Sequence, residues 1–455
     1  MNKIIEQRGE LEAKLLGPLV KPVSGYNIVM AVLGIIVLSG LFSWVVQIKE
    51  GLSVTGLSDG VSWGLYIASF TFFVGTSLAG TVISAILRIT GNHWQAPVTR
   101  IAEVITGAAL IGAAAMIVVD MGRPERLFNV YIYGRMGSPL IWDVISITTY
   151  LTGSLIYLYL PMIPDFAVCR DRLKNSVSSF RHRVYSILAL GWQDTPAQKQ
   201  KLEKLLNIMA IIIIPVAVSV HSVTAWIYAM TFRPGWESAI LAPYFVVSAF
   251  AGGIAMVIIV TTVYRRIFNL QKFLPAEHYS KLAKLLLGLM LVYAYFSIAE
   301  LLPGGYKLEG HEQEYLELLF IGKQAVLFWS SVIGGILVPV LLLSWSKTRT
   351  VPGITLAAIL ITVAMWIKKG FLLVVPSMQV PLMPFVLGEI YRPSWTEWSI
   401  NIAGFAGFLL LITLFFRFIP AITIWEVAGN WEEAAEESSG GRKVFSKLQD
   451  MKGGA

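Results

Sequence analysis

The chain has 455 residues, of which 56% are hydrophobic and only 14% charged, with a formal net charge of +8. Water-soluble domains carry about a quarter of their residues as charged side chains, so composition excludes an ordinary soluble enzyme; the basic excess is read as membrane topology and not as nucleic-acid binding. A single cysteine excludes an intrachain disulfide framework, and with only five histidines beside it the chain is expected to hold no haem pair, iron–sulfur cluster or other metal of its own.

Residues 1–27 mix acids and bases (Lys3, Glu6, Arg8, Glu10, Glu12, Lys14) and show no apolar core followed by a small-residue cleavage site. They read as a segment without a cleavable signal, the first apolar helix serving as its own insertion signal. Apolar runs long enough to cross a bilayer of about 30 Å follow. They fall near 28–48, 61–87, 98–121, 139–162, 206–231, 239–268, 282–302, 318–345, 352–375 and 398–425. Lipid offers the backbone no hydrogen-bond partner, so each run is expected to be a helix. The sequence thus predicts an all-α integral membrane protein of about ten transmembrane helices. Its parts are an N-terminal segment 1–27, a membrane domain 28–425 and a solvated, loosely ordered tail 426–455.

The Lys and Arg residues sort by side. Of 36, twenty-five lie in the N-terminal segment, the tail, or the loops after the second, fourth, sixth and eighth spans together with the span ends beside them; eight lie in or beside the opposite loops. Basic loops stay in the cytoplasm, which predicts both termini there, in a cell or inner membrane. The longest internal connection, 163–205, carries a basic amphipathic stretch (Arg170, Arg172, Lys174, Arg181, Arg183). Two readings stand for it: a helix lying on the anionic inner leaflet, or a docking surface for a cytoplasmic partner.

A faint repeat runs through the chain. Tyr66, Phe72, Gly75 and Arg88 in the second span recur at identical spacing as Tyr244, Phe250, Gly253 and Arg266 in the sixth. Asp120 then Pro124 after the third span parallels Glu300 then Pro303 after the seventh. Spans 2–5 and 6–9 therefore read as two related four-helix bundles flanked by helices 1 and 10, with chance spacing of common membrane residues as the competing reading.

Ionisable groups inside a bilayer are costly and are functional candidates. Asp120 ends the third span, Asp143 opens the fourth beside Trp142, His221 lies in the fifth, Glu300 ends the seventh, and Lys368 and Lys369 lie in the ninth. On the predicted topology all face the extracytoplasmic half. A quinone headgroup suits such a set. A histidine and a carboxylate hold its two oxygens and exchange the protons that accompany its electrons, while Trp142, Trp226 and Tyr66 are candidates to sandwich the ring. Each residue also has a structural reading. Asp120 with Arg123 and Arg126 is an ion-paired helix end. Asp143 is a helix cap, and His221 a satisfied core histidine. Glu300 neutralises a lysine, and one lysine of the adjacent pair snorkels outward. Cys169 reads as inert. Nucleotide-binding glycine loops, zinc-protease motifs and nucleophile–base sets are absent from the sequence.

Several short motifs in order resemble one family. They are Asp120-Met-Gly-Arg-Pro-Glu-Arg126, Ser138-Pro-Leu-Ile-Trp-Asp143, His221-Ser-Val-Thr-Ala-Trp226, Arg233-Pro-Gly-Trp236 with Ala242-Pro-Tyr-Phe245, and Tyr391-Arg-Pro-Ser-Trp-Thr-Glu-Trp398. Over roughly residues 25–425 the chain is similar to the polysulfide reductase membrane subunit (NrfD/PsrC) family in its ten-helix form, and Trp63-Gly-Leu-Tyr66 resembles the DsrP-like branch. The alternative complex III-like branch carries a histidine where this chain has Asp120 and a carboxylate where it has Ile227. The resemblance implies a haem-free membrane subunit of a respiratory complex. Such a subunit exchanges electrons between menaquinone or ubiquinone and a ferredoxin-like iron–sulfur subunit on the extracytoplasmic side, alongside other membrane and redox subunits and lipid. It implies a quinone pocket near Asp143 and His221, with Lys368 or Lys369 as basic partner; the reading of the charges and aromatics adds Arg123, Glu300, Tyr66 and Trp226 as supporting residues. Coupling to proton movement is open on the same grounds. A proton-driven secondary transporter and a purely structural anchor are the competing functions.

Overall fold

The computed structural model describes residues 2–89, 96–231, 233–236, 238–307, 310–380 and 390–429. The tail predicted beyond residue 429 lies outside the described residues.

Helix α1 (Asn2–Val20) precedes the membrane domain. The crossing helices are α2 (Tyr26–Glu50), α3 (Leu65–Ile89), α4 (Ala96–Asp120), α6 (Pro139–Tyr159), α9 (Pro196–Ala229), α10 (Leu241–Ile267) and α11 (Ala276–Lys307), followed by three more. In the eighth, α13 (Ala325–Val332) runs into α14 (Val338–Ser344) through a π turn; in the ninth, α15 (Val351–Ile367) runs into α16 (Val375–Gln379) through another; the tenth is α17 (Trp395–Phe418). Short helices α5 (Asn129–Tyr133), α7 (Ile163–Arg172), α8 (Ser179–Leu188) and α12 (Gly310–Phe320) cap the ends. The described residues thus contain ten membrane-length helices, as the apolar runs require.

Several boundaries move for local reasons. Helix α9 begins at Pro196, ahead of the predicted 206, because Thr195 and Gln198 form a capping box that starts the helix in water. The predicted start of the eighth span at 318 falls inside α12, which stops where Gly322 N–H turns back to Glu317 O at 2.7 Å. The last span ends at Phe418 and not at 425, because Pro420 has no N–H to continue it.

Helices α3, α4, α6 and α9 pack as one four-helix bundle and α10, α11, α13–α14 and α15–α16 as a second; α3 and α10 join them, and α2 and α17 pair on the outside, α17 against α4. In lipid, helices associate through close packing and interhelical hydrogen bonds, so small residues gather at contacts. Gly80 shows the closeness: a Cβ there would lie 1.9 Å from Ala102 O of α4. Helix α3 is enclosed on all sides, whereas α2 faces outward along most of its length.

The two ends of the bundle differ. One, the basic end, carries α1, α7, α8 and the turns after α10 and α14; the other, the opposite end, carries the connections 51–64, 121–138 and 310–324. Helix α1 was not evident in the sequence. Its Leu11, Leu15, Leu16 and Leu19 are buried, and its final carbonyls accept from two arginines, Arg181 Nη1 to Leu19 O at 2.7 Å and Arg417 Nη1 to Pro18 O at 2.9 Å. The long connection opens with residues that face the interior, ahead of the basic stretch that begins at Arg170. Helix α7 turns inward, burying Asp165, Phe166 and Cys169.

Asp165 anchors this end. Fully buried, it accepts from Arg100 Nη1 at 2.5 Å and from Ile424 N and Trp425 N at 3.3 and 3.4 Å, while Arg100 Nη2 donates to Pro161 O at 3.0 Å. Removing one partner of such a pair strands the other charge, at about 3–5 kcal/mol. Asp165→Ala therefore lowers the unfolding midpoint in detergent sharply, and Glu277→Ala, which breaks an exposed pair with Lys281, leaves it unchanged. Burial, with Asp165 nearby, pushes the Cys169 thiol up to about 12. Only the thiolate reacts, so a maleimide at neutral pH leaves the folded protein unlabelled and modifies Cys169 once denaturant opens the fold.

Candidate functional site

The site is built around one turn of α3, residues 71–75. From α9, His221 is 1% exposed and reaches it with Nε2 on Val74 O at 2.9 Å, while Nδ1 sits on Ala217 O at 2.8 Å. Both partners are carbonyl acceptors. A neutral ring satisfies one of them, and only the doubly protonated ring satisfies both. One turn further along α9, Thr224 Oγ1 donates to Asp143 Oδ1 of α6 at 2.8 Å. Tyr228 lies one turn beyond, its hydroxyl 2.8 Å from Thr71 Oγ1. The periodicity of α9 explains the alignment: 221, 224 and 228 share a face.

Lys369 enters from the ninth span. It is 5% exposed, its Nζ lies 3.4 Å from Thr71 O and 5.4 Å from the Phe245 ring centroid, and no carboxylate pairs with it among the described residues. An ammonium carries three donors; one long hydrogen bond leaves two unused. Room for the amine comes from Gly75, where a Cβ would stand 2.1 Å from Nζ.

A π turn at Lys368–Val374 sets the lysines. Such turns add a residue and free backbone carbonyls. Here Trp236 Nε1 donates to Leu373 O at 3.0 Å and Tyr315 OH to Leu372 O at 2.9 Å. Trp236 also stacks on Trp63 at 5.5 Å and meets Tyr228 edge-on at 4.9 Å, so an aromatic group closes the site toward the opposite end.

The predicted residues separate. His221 and Lys369 converge on α3, and Asp143 of α6 is held beside them by Thr224 of α9. Lys368 turns to the other bundle, where it pairs with Glu300 Oε2 at 3.0 Å and faces a groove of about 660 Å³ between α11, α13 and α15. Neither lysine snorkels: Lys369 is buried against α3 and Lys368 is held by Glu300. Asp120 ends α4 with Oδ1 buried and unpartnered among the described residues, and Arg123 is exposed along a separate polar depression. Tyr66 OH is held by Gln47 Oε1 at 2.6 Å. Trp142 donates to Met136 O, and Trp226 is 46% exposed on the bundle's outer face. These three rings therefore do not meet at one place; Trp63, Tyr228 and Trp236 do.

Besides Asp165, sequence reasoning gave no role to two more buried carboxylates. Glu397, fully enclosed, accepts from Tyr391 OH at 2.6 Å, Gly56 N at 2.7 Å and Ser394 N at 2.8 Å, and so ties the opposite-end loops together. Glu103 lies inside the third span, 3% exposed. Its position within an apolar run was the available signal. Among the described residues no group of three or more His, Cys, Asp or Glu is arranged around a metal position.

Ten apolar helices of membrane length define a multi-pass membrane protein. Residues 53–381 match the polysulphide reductase, NrfD family, and the chain belongs to it. It is 28% identical to a protein of Halobacterium salinarum assigned as the membrane subunit of a dimethyl sulfoxide reductase, over 77% of each chain. It is 25% identical to a selenate reductase subunit of Mesobacillus selenatarsenatis, over 86% of this chain and 93% of the relative. At 25% identity it also resembles the Hdr-like menaquinol oxidoreductase integral membrane subunit of Archaeoglobus fulgidus, over 88% of this chain and 96% of that one.

Gly75→Ala drives a methyl group into the space of the Lys369 amine. Overpacking of this kind costs about 1–3 kcal/mol. The variant shows a lowered unfolding midpoint, and Gly75→Ala combined with Lys369→Ala recovers part of the loss.

Proposed function

We propose that this chain is the quinone-reactive membrane subunit of a multi-subunit oxidoreductase, with the headgroup received between Lys369, Asp143 and the Trp63–Tyr228–Trp236 aromatic group. The observation that carries the reading is Lys369: an amine held inside the membrane domain with unused donors, on the same turn of α3 as His221. A quinone brings two carbonyl oxygens, which become hydroxyls when electrons and protons are taken up together. Lys369 would donate to one oxygen. Asp143 would exchange a proton at the other, oriented by Thr224 Oγ1. His221, both of whose nitrogens rest on carbonyls, stands behind them as the next proton-holding group. Of the two quinones the family resemblance allows, menaquinone is favoured, since the Archaeoglobus relative is named for menaquinol.

The basic end faces the cytoplasm in this reading, by the distribution of Lys and Arg. The site end then faces outward in the cell or inner membrane, where a ferredoxin-like iron–sulfur subunit docks, with other subunits of the complex completing it.

Asp143→Asn and Lys369→Met lower quinone-linked turnover of the intact complex by about 10²–10⁴-fold, the usual contribution of a proton-transferring group, while the subunits still co-purify. Full turnover together with unchanged quinone-site inhibitor binding in both variants removes these residues from the site. Topology is read separately. With Cys169 unreactive, Lys323→Cys labels in intact cells with an impermeant maleimide, and Lys347→Cys labels only after permeabilisation.

A further inference from the structure

The second bundle carries an opening of its own, apart from the site on α3. Its groove of about 660 Å³ between α11, α12, α13 and α15 falls within the usual size of small-molecule sites. Ile298, Leu302 and Tyr306, from the last turns of α11, stand exposed along the rim, so the groove lies toward the opposite end. Both π turns border it: Gly335 and Leu337 come from the turn at Ile333–Leu337, Lys368 and Leu372 from the turn at Lys368–Val374. Single π turns within α-helices are frequent at functional sites, and here two face one space.

The walls are apolar, but the buried lining keeps polar capacity. Lys368 is the single charge among the described lining residues, and its Nζ gives Glu300 Oε2 one hydrogen bond at 3.0 Å. An ammonium has three donors. Ser331 Oγ, in a residue only 7% exposed, has no partner among the described residues, nor has Glu300 Oε1. Other polar atoms of the lining are spent: Ser297 Oγ donates to Tyr293 O at 2.9 Å and Trp329 Nε1 to Phe320 O at 3.1 Å. A buried hydroxyl left open is costly, so Ser331 beside an apolar space points to a ligand with a polar atom of its own.

These features select the occupant. A phospholipid headgroup brings a negative phosphate, whereas the one cation here is already neutralised by Glu300. Acyl chains alone use neither the open hydroxyl nor the ammonium. A neutral ring with two carbonyl oxygens uses both, and Phe328, with Phe320 and Trp329 edge-on to it at 4.9 and 5.2 Å, offers it an aromatic wall. Toward Lys369 the packing closes. Tyr244 stacks on Tyr293 at 5.2 Å, and beside them remains a cavity of only about 10 Å³, the room of one water. The groove is therefore not the mouth of the site on α3.

We propose that this groove holds a second isoprenoid quinone, its ring oxygens accepting from Ser331 Oγ and Lys368 Nζ and its tail leaving past Leu302 and Leu337 into lipid. The ligand class rests on the quinone reading above; the position is independent of it. Glu300 keeps the lysine neutralised, so the groove binds the quinone, and no electron or proton step belongs to it.

The test uses the intact complex and a short-chain menaquinone analogue carrying a diazirine, with labelled peptides identified by mass spectrometry. Peptides of α11 and α13 are labelled, and excess unlabelled menaquinone suppresses the label while excess phosphatidylglycerol does not. Ser331→Phe, which fills the groove, abolishes that labelling, and labelling of the α6 peptide around Asp143 persists. Ser331→Ala removes only the hydroxyl and weakens groove labelling about three- to tenfold, the worth of one hydrogen bond; it serves where Ser331→Phe does not assemble. The proposal is overturned by an unlabelled groove, by label that phosphatidylglycerol suppresses equally, or by full labelling in both Ser331 variants. Quinone-suppressible label in the groove with none around Asp143 and Lys369 upholds the groove and defeats the reading of the site on α3 instead.

Discussion

A helix enclosed by other helices within lipid has no water to satisfy its polar groups, and α3 is such a helix. Every hydroxyl on it must find a partner on a neighbour, and every charge near it must be held by the protein itself. This one constraint explains why Thr71, Val74, Ser77 and Ser84 of α3 are the places where α4, α6, α9 and the ninth span touch it. It also explains why glycines line the same helix: Gly75 admits an amine and Gly80 admits a backbone. The candidate site's side chains are not added to a finished scaffold; they are among the contacts that hold the scaffold's central rod.

The two bundles solve the same burial problem with different chemistry. Glu300 and Lys368 neutralise each other beside an open apolar groove. Lys369 stays without a carboxylate partner among the described residues. A neutralised pair offsets part of its own burial cost, whereas a lone buried amine is costly and for that reason a functional candidate. That contrast, between adjacent residues of one helix, directs attention to the first bundle rather than the second.

The fold was legible in the sequence because its signal is one-dimensional. Uninterrupted apolar length and the sidedness of Lys and Arg need no tertiary information, and the ten helices follow. Asp143, His221 and Lys369 were legible as charges in apolar surroundings. Their partners were not. Gln47 holding Tyr66 and Trp236 capping Leu373 O depend on distant packing, and the expected ring sandwich of Trp142, Trp226 and Tyr66 failed because residue type says nothing about which way a helix face turns. The outward lysine failed for a related reason: the sequence does not show that Glu300 meets Lys368 and Thr71 O meets Lys369 inside the fold. Helix α1 stayed hidden because its charges mask the Leu11–Leu15–Leu19 stripe.

The π turn at 368–374 places two neighbouring amines in two different compartments, one against Glu300 and one against Thr71. Because a single stretch of backbone carries both amines, a shift of that segment moves the seats of both, while either flexible side chain can still swing on its own stem.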